Sequence, residues 1–206
     1  MPTLRLRTGL LVIFHRREWS RTTNTGHLAV QAVSGSRSAI WGDVEGLVGL
    51  DGAVVDRVSL QDRFAFVLTA DAPPLDLTAF SPPPAPVLMV VPDGTWRQAI
   101  KMPRRIPALA GLPHFSLPDP PEATYHLRQT TRAGGLATLH AIALAIGLID
   151  GPEAEAPLMT MYDAMVAASL EGRGPMRRPN LANAAASGEY DSEEPTTTAA
   201  PVTEES

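Results

Sequence analysis

Five consecutive apolar residues, Val87-Leu88-Met89-Val90-Val91, stand between a proline-rich stretch and Pro92-Asp93-Gly94. A run this short, rich in β-branched side chains and apolar at every position, is satisfied as a strand covered on both faces. Residues 10–14 and 64–68 repeat the pattern. Residues 27–33 read as a further strand ending at Ser34-Gly35-Ser36, and Tyr125-His126-Leu127-Arg128 as a weaker one. Residues 41–63, rich in Gly and Asp, read as loops with one or two short elements.

Between these runs lie helical patterns. Residues 97–102 form one, with Pro103 expected to end or kink it, because proline lacks a donor and crowds the preceding turn. Residues 136–146 are apolar almost all round, as in a buried helix. Residues 155–170 place Leu158, Met161, Tyr162, Met165 and Val166 on one stripe, an ordinary core face. Strands alternating with helices predict an α/β domain: a mainly parallel sheet with flanking helices. Ligands of such sheets bind beyond the carboxyl ends of the strands, which makes the loop at Asp93 the most informative place in the chain.

The domain is expected to span residues 1–171. From Gly172 onward apolar periodicity stops, and residues 172–206 read as a disordered acidic tail. The formal charge of −5 belongs to that tail: residues 187–206 hold six acids and no Lys or Arg, leaving 17 basic against 16 acidic side chains elsewhere. All the basic residues except Lys101 are Arg, which reflects either GC-rich coding or recognition of phosphate and carboxylate groups. The absence of cysteine excludes disulfides, Cys-ligated zinc, iron–sulfur clusters and thiol catalysis. Residues 9–14 and 136–149 are too short to act as a signal core or a membrane span, so a cytoplasmic protein without membrane attachment is expected.

Asp93 admits two readings: an N-cap taking bonds from the N–H groups of Thr95 or Trp96, or a carboxylate facing a ligand. Gly94 would let the backbone approach that ligand without a Cβ in the way. Trp96 fits a core position or a stacking platform. Arg97, Lys101, Arg104 and Arg105 share one helix face if the helix continues through Pro103, either a solvated stripe or a phosphate-binding one. Asn24-Thr25-Gly26 reads locally as a turn. The histidines His15, His27, His114 and His126 lack metal-ligand spacing, and no metal is assigned.

The order Thr23-Asn24-Thr25-Gly26-His27-Leu28, Pro92-Asp93-Gly94-Thr95-Trp96-Arg97-Gln98-Ala99, Tyr125-His126-Leu127-Arg128 and Leu136-Ala137-Thr138-Leu139-His140-Ala141 resembles the DTW-domain family, whose Asp-x-Thr-Trp signature is intact here. The resemblance covers residues 10–171. It implies a tRNA-uridine aminocarboxypropyltransferase that uses S-adenosylmethionine as donor, with a SPOUT-like fold knotted near its C-terminus. On that resemblance Asp93 is the catalytic group, as a base toward the uridine imide or as a complement to the sulfonium. Gly94, Thr95, Trp96, Leu127, Arg128, Leu136, Ala137 and Thr138 line the cofactor. Asn24, Arg97, Lys101, Arg104 and Arg105 meet the RNA.

Two features depart from the family pattern. The cysteine cluster that usually precedes the first strand has no counterpart, and His140 stands where a Glu is usual. They leave two other readings: a non-catalytic RNA- or nucleotide-binding module, and a SPOUT-like RNA methyltransferase.

Overall fold

A computed structural model describes residues 3–21, 24–43, 46–55, 63–77, 86–121 and 135–171, all within the unit Met1–Gly172. Strand β1 (Thr8–His15) is followed by one helical turn, α1 (Arg16–Trp19), and by α2 (Gly26–Ala32). Then come β2 (Arg37–Asp43), β3 (Gly46–Gly49), β4 (Phe64–Leu68) and β5 (Val87–Asp93). Helix α3 (Trp96–Arg105), a 3₁₀ turn (Pro107–Leu109), β6 (His114–Phe115), α4 (Thr138–Asp150) and α5 (Pro152–Glu171) complete the described elements.

The six strands form one sheet in the order β3-β2-β1-β5-β4-β6. Every neighbouring pair is parallel except the antiparallel β2–β3. The fold is therefore α/β, a mostly parallel mixed sheet with flanking helices, as the apolar runs imply. The two strands with the most buried residues, β1 and β5, lie side by side in its middle. Alternation along β1 sorts the core into two layers. Leu10, Val12 and Phe14 pack with Ala29 and Ala32 of α2 and with Ile142, Ile146 and Leu158 of α4 and α5. Leu11 and Ile13 face the other way, toward Met102 of α3, Ile106 and Leu109.

Two expectations change. Residues 27–33 are not a strand: α2 takes 27–32, with Val33 its C-cap, because Ala29, Ala32 and Val33 at i, i+3 and i+4 are the buried positions. The strand that pairs with β1 is β2, which begins at Arg37 and carries only Ala39 as a fully buried apolar residue, too weak a pattern to read. Helix α3 does not stop at Pro103; it runs to Arg105, with Pro103 and Met102 buried and Ile106 N–H still bonded to the Met102 carbonyl. The expected strand at 125–128 lies outside the described residues. A knot is not seen among the described residues, and the passage from β6 to α4 at 122–134 is outside them.

At the opposite end of the central strands, Arg7, just before β1, is tied to the end of α4. Its backbone N–H and its Nε meet Asp150 Oδ1 at 3.3 and 3.4 Å, and its guanidinium donates to the Ile149 carbonyl. A cation at a helix C-terminus complements the helix dipole there. Helix α5 then folds back on α4, starting with Pro152 at its first position, where no N–H is missed. Its buried side is the i, i+4, i+8 row Ala154, Leu158 and Tyr162, with Met161, Met165 and Val166 partly covered.

Leu158 is fully buried and Leu170 is 43% exposed on the same helix. Leu158→Ala is expected to lower unfolding stability by about 2–5 kcal/mol through lost burial and a residual cavity. Leu170→Ala should change it by no more than about 0.5 kcal/mol, both read from urea midpoints.

Candidate functional site

Strands β1 and β5 are adjacent, yet the chain leaves them in opposite directions. After β1 it passes through α1 into α2, on the layer with α4 and α5; after β5 it enters α3, on the other layer. Where neighbouring parallel strands send their connections to opposite faces, a crevice opens beyond their carboxyl ends. Phe14 and Asp93 sit opposite each other at that end. Val87, Met89 and Val91 of β5 face the α2 layer, and the period of two puts Asp93 on the same side. Pro92 is part of the strand, two residues past its last pairing with β4 at Val90, where a residue without an N–H is tolerated.

Asp93 is only 5% exposed. The N-cap position of α3 is held by Thr95. The Asp93 carboxylate lies against Gly26, the first residue of α2. A Cβ on Gly26 would collide with Asp93 Oδ2 and stand 2.9 Å from Phe14 Cε1 and 3.2 Å from Asn24 Oδ1. Gly26 is thus required here for close approach rather than for an unusual backbone angle.

The loop that delivers Gly26 is held by its own side chains. Asn24 is buried; its Oδ1 accepts the Gly26 N–H at 2.9 Å and its Nδ2 donates to the Glu18 carbonyl at 3.2 Å. The residue expected at the RNA face is therefore committed to backbone groups that shape the loop. Thr25 Oγ1 accepts the N–H of Leu139 at 3.1 Å, satisfying one of the open donors at the start of α4 from 114 positions away in sequence. Leu136, Ala137 and Thr138, half-buried, lead into that helix start.

On the other face of the sheet, Gly94 packs against protein. A Cβ there would stand 2.9 Å from Gln98 Cβ and 3.3 Å from His15 Cβ. Gln98 Oε1 accepts the Thr95 N–H at 2.7 Å, one arm of a capping box. Trp96 is half-buried, and Thr95, Arg97, Lys101, Arg104 and Arg105 are exposed. The four cations do share the outer face of one continuous helix, although Arg104 is engaged with Asp71 Oδ2 at 2.7 Å.

His27 and His140 are packed groups. His27 stacks on Phe14 with centroids 4.5 Å apart, meets Trp19 edge-on, and its Nε2 is 2.8 Å from the Trp19 carbonyl. His140 is buried beside Tyr162 at 4.8 Å, and burial holds its pKa below 6.5 against the opposing pull of Asp163 and Glu155. Burial, then Arg17, lowers His15 as well, with Glu18 acting in the opposite direction. Leu127 and Arg128 lie outside the described residues. Among the described residues no cluster of His, Asp or Glu suits a metal ion, and no helix is long and apolar enough to cross a membrane.

Sequence reasoning joined the motifs by order alone. It missed what joins them in space: the missing Cβ of Gly26, the Thr25 hydroxyl, and the His15–Gln98 contact. A Thr-Gly pair looks in sequence like any surface turn, so neither of the first two left a local signal; their burial is seen only in the structure.

Gly26→Ala is expected to cost about 1–3 kcal/mol from overpacking, and Thr25→Val about 1 kcal/mol from the lost cap; chemical denaturation checks both. Stability should also fall on acidification. Unfolded His140 takes its proton near 6.5, the folded residue only lower, so below 6.5 the unfolded chain binds more protons until both forms are charged. His140→Gln should shrink the drop in urea midpoint between about pH 8 and about pH 5, leaving the same-signed share from His15.

The family model described as the DTW domain matches residues 1–170. No curated protein and no solved structure matches the chain.

Proposed function

We propose that this chain, which belongs to the DTW-domain family, transfers the 3-amino-3-carboxypropyl group of S-adenosylmethionine to N3 of a uridine in tRNA, releasing methylthioadenosine. One observation carries the reading: a carboxylate, Asp93, held almost out of water at the switch point of the sheet, with the Gly26 loop packed on it and the start of α4 fastened to that loop. Burying a carboxylate opposes stability. An apolar residue would end β5 at lower cost, so the acid is kept for what it does in the crevice.

When bound, the donor supplies an activated carbon: the N3–C bond forms as the C–S bond breaks, and its electron pair returns to sulfur as a neutral thioether. Uracil N3 attacks only as its imide proton leaves. Asp93, at the crevice and shielded from bulk water, takes that proton. In the same place its charge complements a sulfonium. Gly94, Thr95, Trp96 and the backbone of 136–138 border the donor in this reading, with Leu127 and Arg128 contributing from outside the described residues. Asn24 acts by shaping the Gly26 loop. Arg97, Lys101, Arg104 and Arg105 meet tRNA phosphates, and residues 172–206 form an acidic appendage to a transferase domain at 1–171.

Asp93→Asn is expected to abolish turnover on tRNA while donor binding stays within about tenfold, roughly 1.4 kcal/mol. Near-normal turnover would remove Asp93 from the chemistry. The by-product identifies the reaction: methylthioadenosine for this transfer, S-adenosylhomocysteine for methyl transfer, neither for a binding module. Replacing Arg97, Lys101, Arg104 and Arg105 together by Gln should weaken tRNA binding and flatten its dependence on salt. Unchanged binding in a salt titration rejects that face.

A further inference from the structure

His15 is the last residue of β1, at the same end of the sheet as Asp93 but on its opposite face. It follows Phe14 on β1, so the strand's alternation turns it to the α3 layer, where it packs beside Gly94, the residue after Asp93. Its Nδ1 accepts the Arg17 N–H at 3.3 Å and stands 3.3 Å from Gln98 Nε2. The orientation of that amide is settled by its other end: Gln98 Oε1 takes the Thr95 N–H, so Nε2 faces His15 as a donor. Two donors on Nδ1 leave that nitrogen bare, and the neutral ring then carries its proton on Nε2.

Nε2 has no hydrogen-bond partner among the described residues. It lies beside Gly42, an exposed glycine at φ 115° where β2 is irregular, and even a Cβ there would stay 3.6 Å away. The depressed pKa agrees with a neutral ring, with Arg17 and Glu18 the charged groups that act on it.

We infer that His15 donates Nε2–H to a carbonyl oxygen of the uracil ring, and that Gln98 is the positioning residue that holds this tautomer. The inference rests on the transfer reaction proposed above and adds the group that recognises its acceptor. Uracil N3 is flanked by O2 and O4, and as the imide proton leaves, negative charge spreads onto both. A donor aimed at one of them binds the transition state better than the ground state. A neutral donor does this without placing a second cation beside the sulfonium.

The test compares purified full-length wild type, His15→Ala, His15→Gln, His15→Asn and Gln98→Glu. Methylthioadenosine release is read on tRNA, donor binding by titration, and the ring tautomer by nitrogen NMR of labelled histidine. Removal of one such donor lowers kcat by about 10²–10³-fold in comparable sites. His15→Ala should therefore lose about 100-fold in kcat, with KM for tRNA within about threefold and donor binding unchanged. His15→Gln, whose amide N–H reaches the Nε2 position, should recover about tenfold of that loss, and His15→Asn should not. Gln98→Glu, an acceptor toward Nδ1, should lower kcat and move the ring proton onto Nδ1.

Wild type that releases nothing on any tRNA overturns the reaction, and this inference with it. With wild type active, three results overturn the inference alone: a full kcat in His15→Ala, a raised KM with kcat intact (the mark of a phosphate contact), or a wild-type spectrum with the proton on Nδ1. The spectrum is independent of whether any variant folds poorly.

Discussion

The missing Cβ of Gly26 sets the geometry on which the crevice depends. Asp93 leaves β5 toward the α2 layer because the period of the strand sends it there, and that layer is already filled by Phe14. The carboxylate fits only because α2 begins with a residue that occupies nothing beyond its backbone. Any side chain at Gly26 would have to push back either the acid or Phe14, which is fully buried in the core. Close-packed interiors transmit such displacements rather than absorb them. The position of the acid is thus determined by the start of a helix far from it in sequence.

A second tie works on the same loop. By accepting the Leu139 N–H, Thr25 joins the entry of α4 to the connection after β1. A cap of this kind contributes about 1 kcal/mol, small beside the burial of α4 against the sheet. Its effect is one of placement: a helix whose core face is apolar along its whole length has no strong preference for where along the sheet its first turn sits. Arg7 on Ile149 and Asp150 holds the other end. With both ends fixed, the start of α4 is held on the loop whose Gly26 packs against the carboxylate, and segments that the sequence separates by more than a hundred positions meet there.

The architecture was legible wherever the burial was strong. Three runs apolar at every position became β1, β4 and β5, because a strand covered on both faces leaves no other mark than continuous hydrophobicity. Helices α4 and α5 were legible for the same reason. Reading failed where tertiary context outweighed local pattern. Residues 27–33 alternate enough to suggest a strand, but the three positions that meet the sheet have helical spacing. Pro103 stays inside α3 because its ring is buried with Met102 and Ile106 against the α3 layer, which offsets the missing hydrogen bond. The candidate site was legible as a set of motifs and as the loop at Asp93. Its interior was not, since a glycine kept for close approach and a hydroxyl capping a remote helix look in sequence like any turn.

Parity along two strands accounts for the character of the two walls. Phe14 and Asp93 lie opposite each other and point into the α2 layer, so that side carries the carboxylate among apolar and aromatic groups. His15 is one step further and points into the α3 layer, where the polar groups of Gln98 and Thr95 gather. An acceptor and a donor therefore flank the end of the same two strands from opposite faces, separated by the edge of the sheet. A planar ring with a proton to lose between two carbonyl oxygens matches that division of labour. The exposed cations of α3 lie on the same side of the sheet as His15, the side from which a polyanion would approach under the proposed reaction.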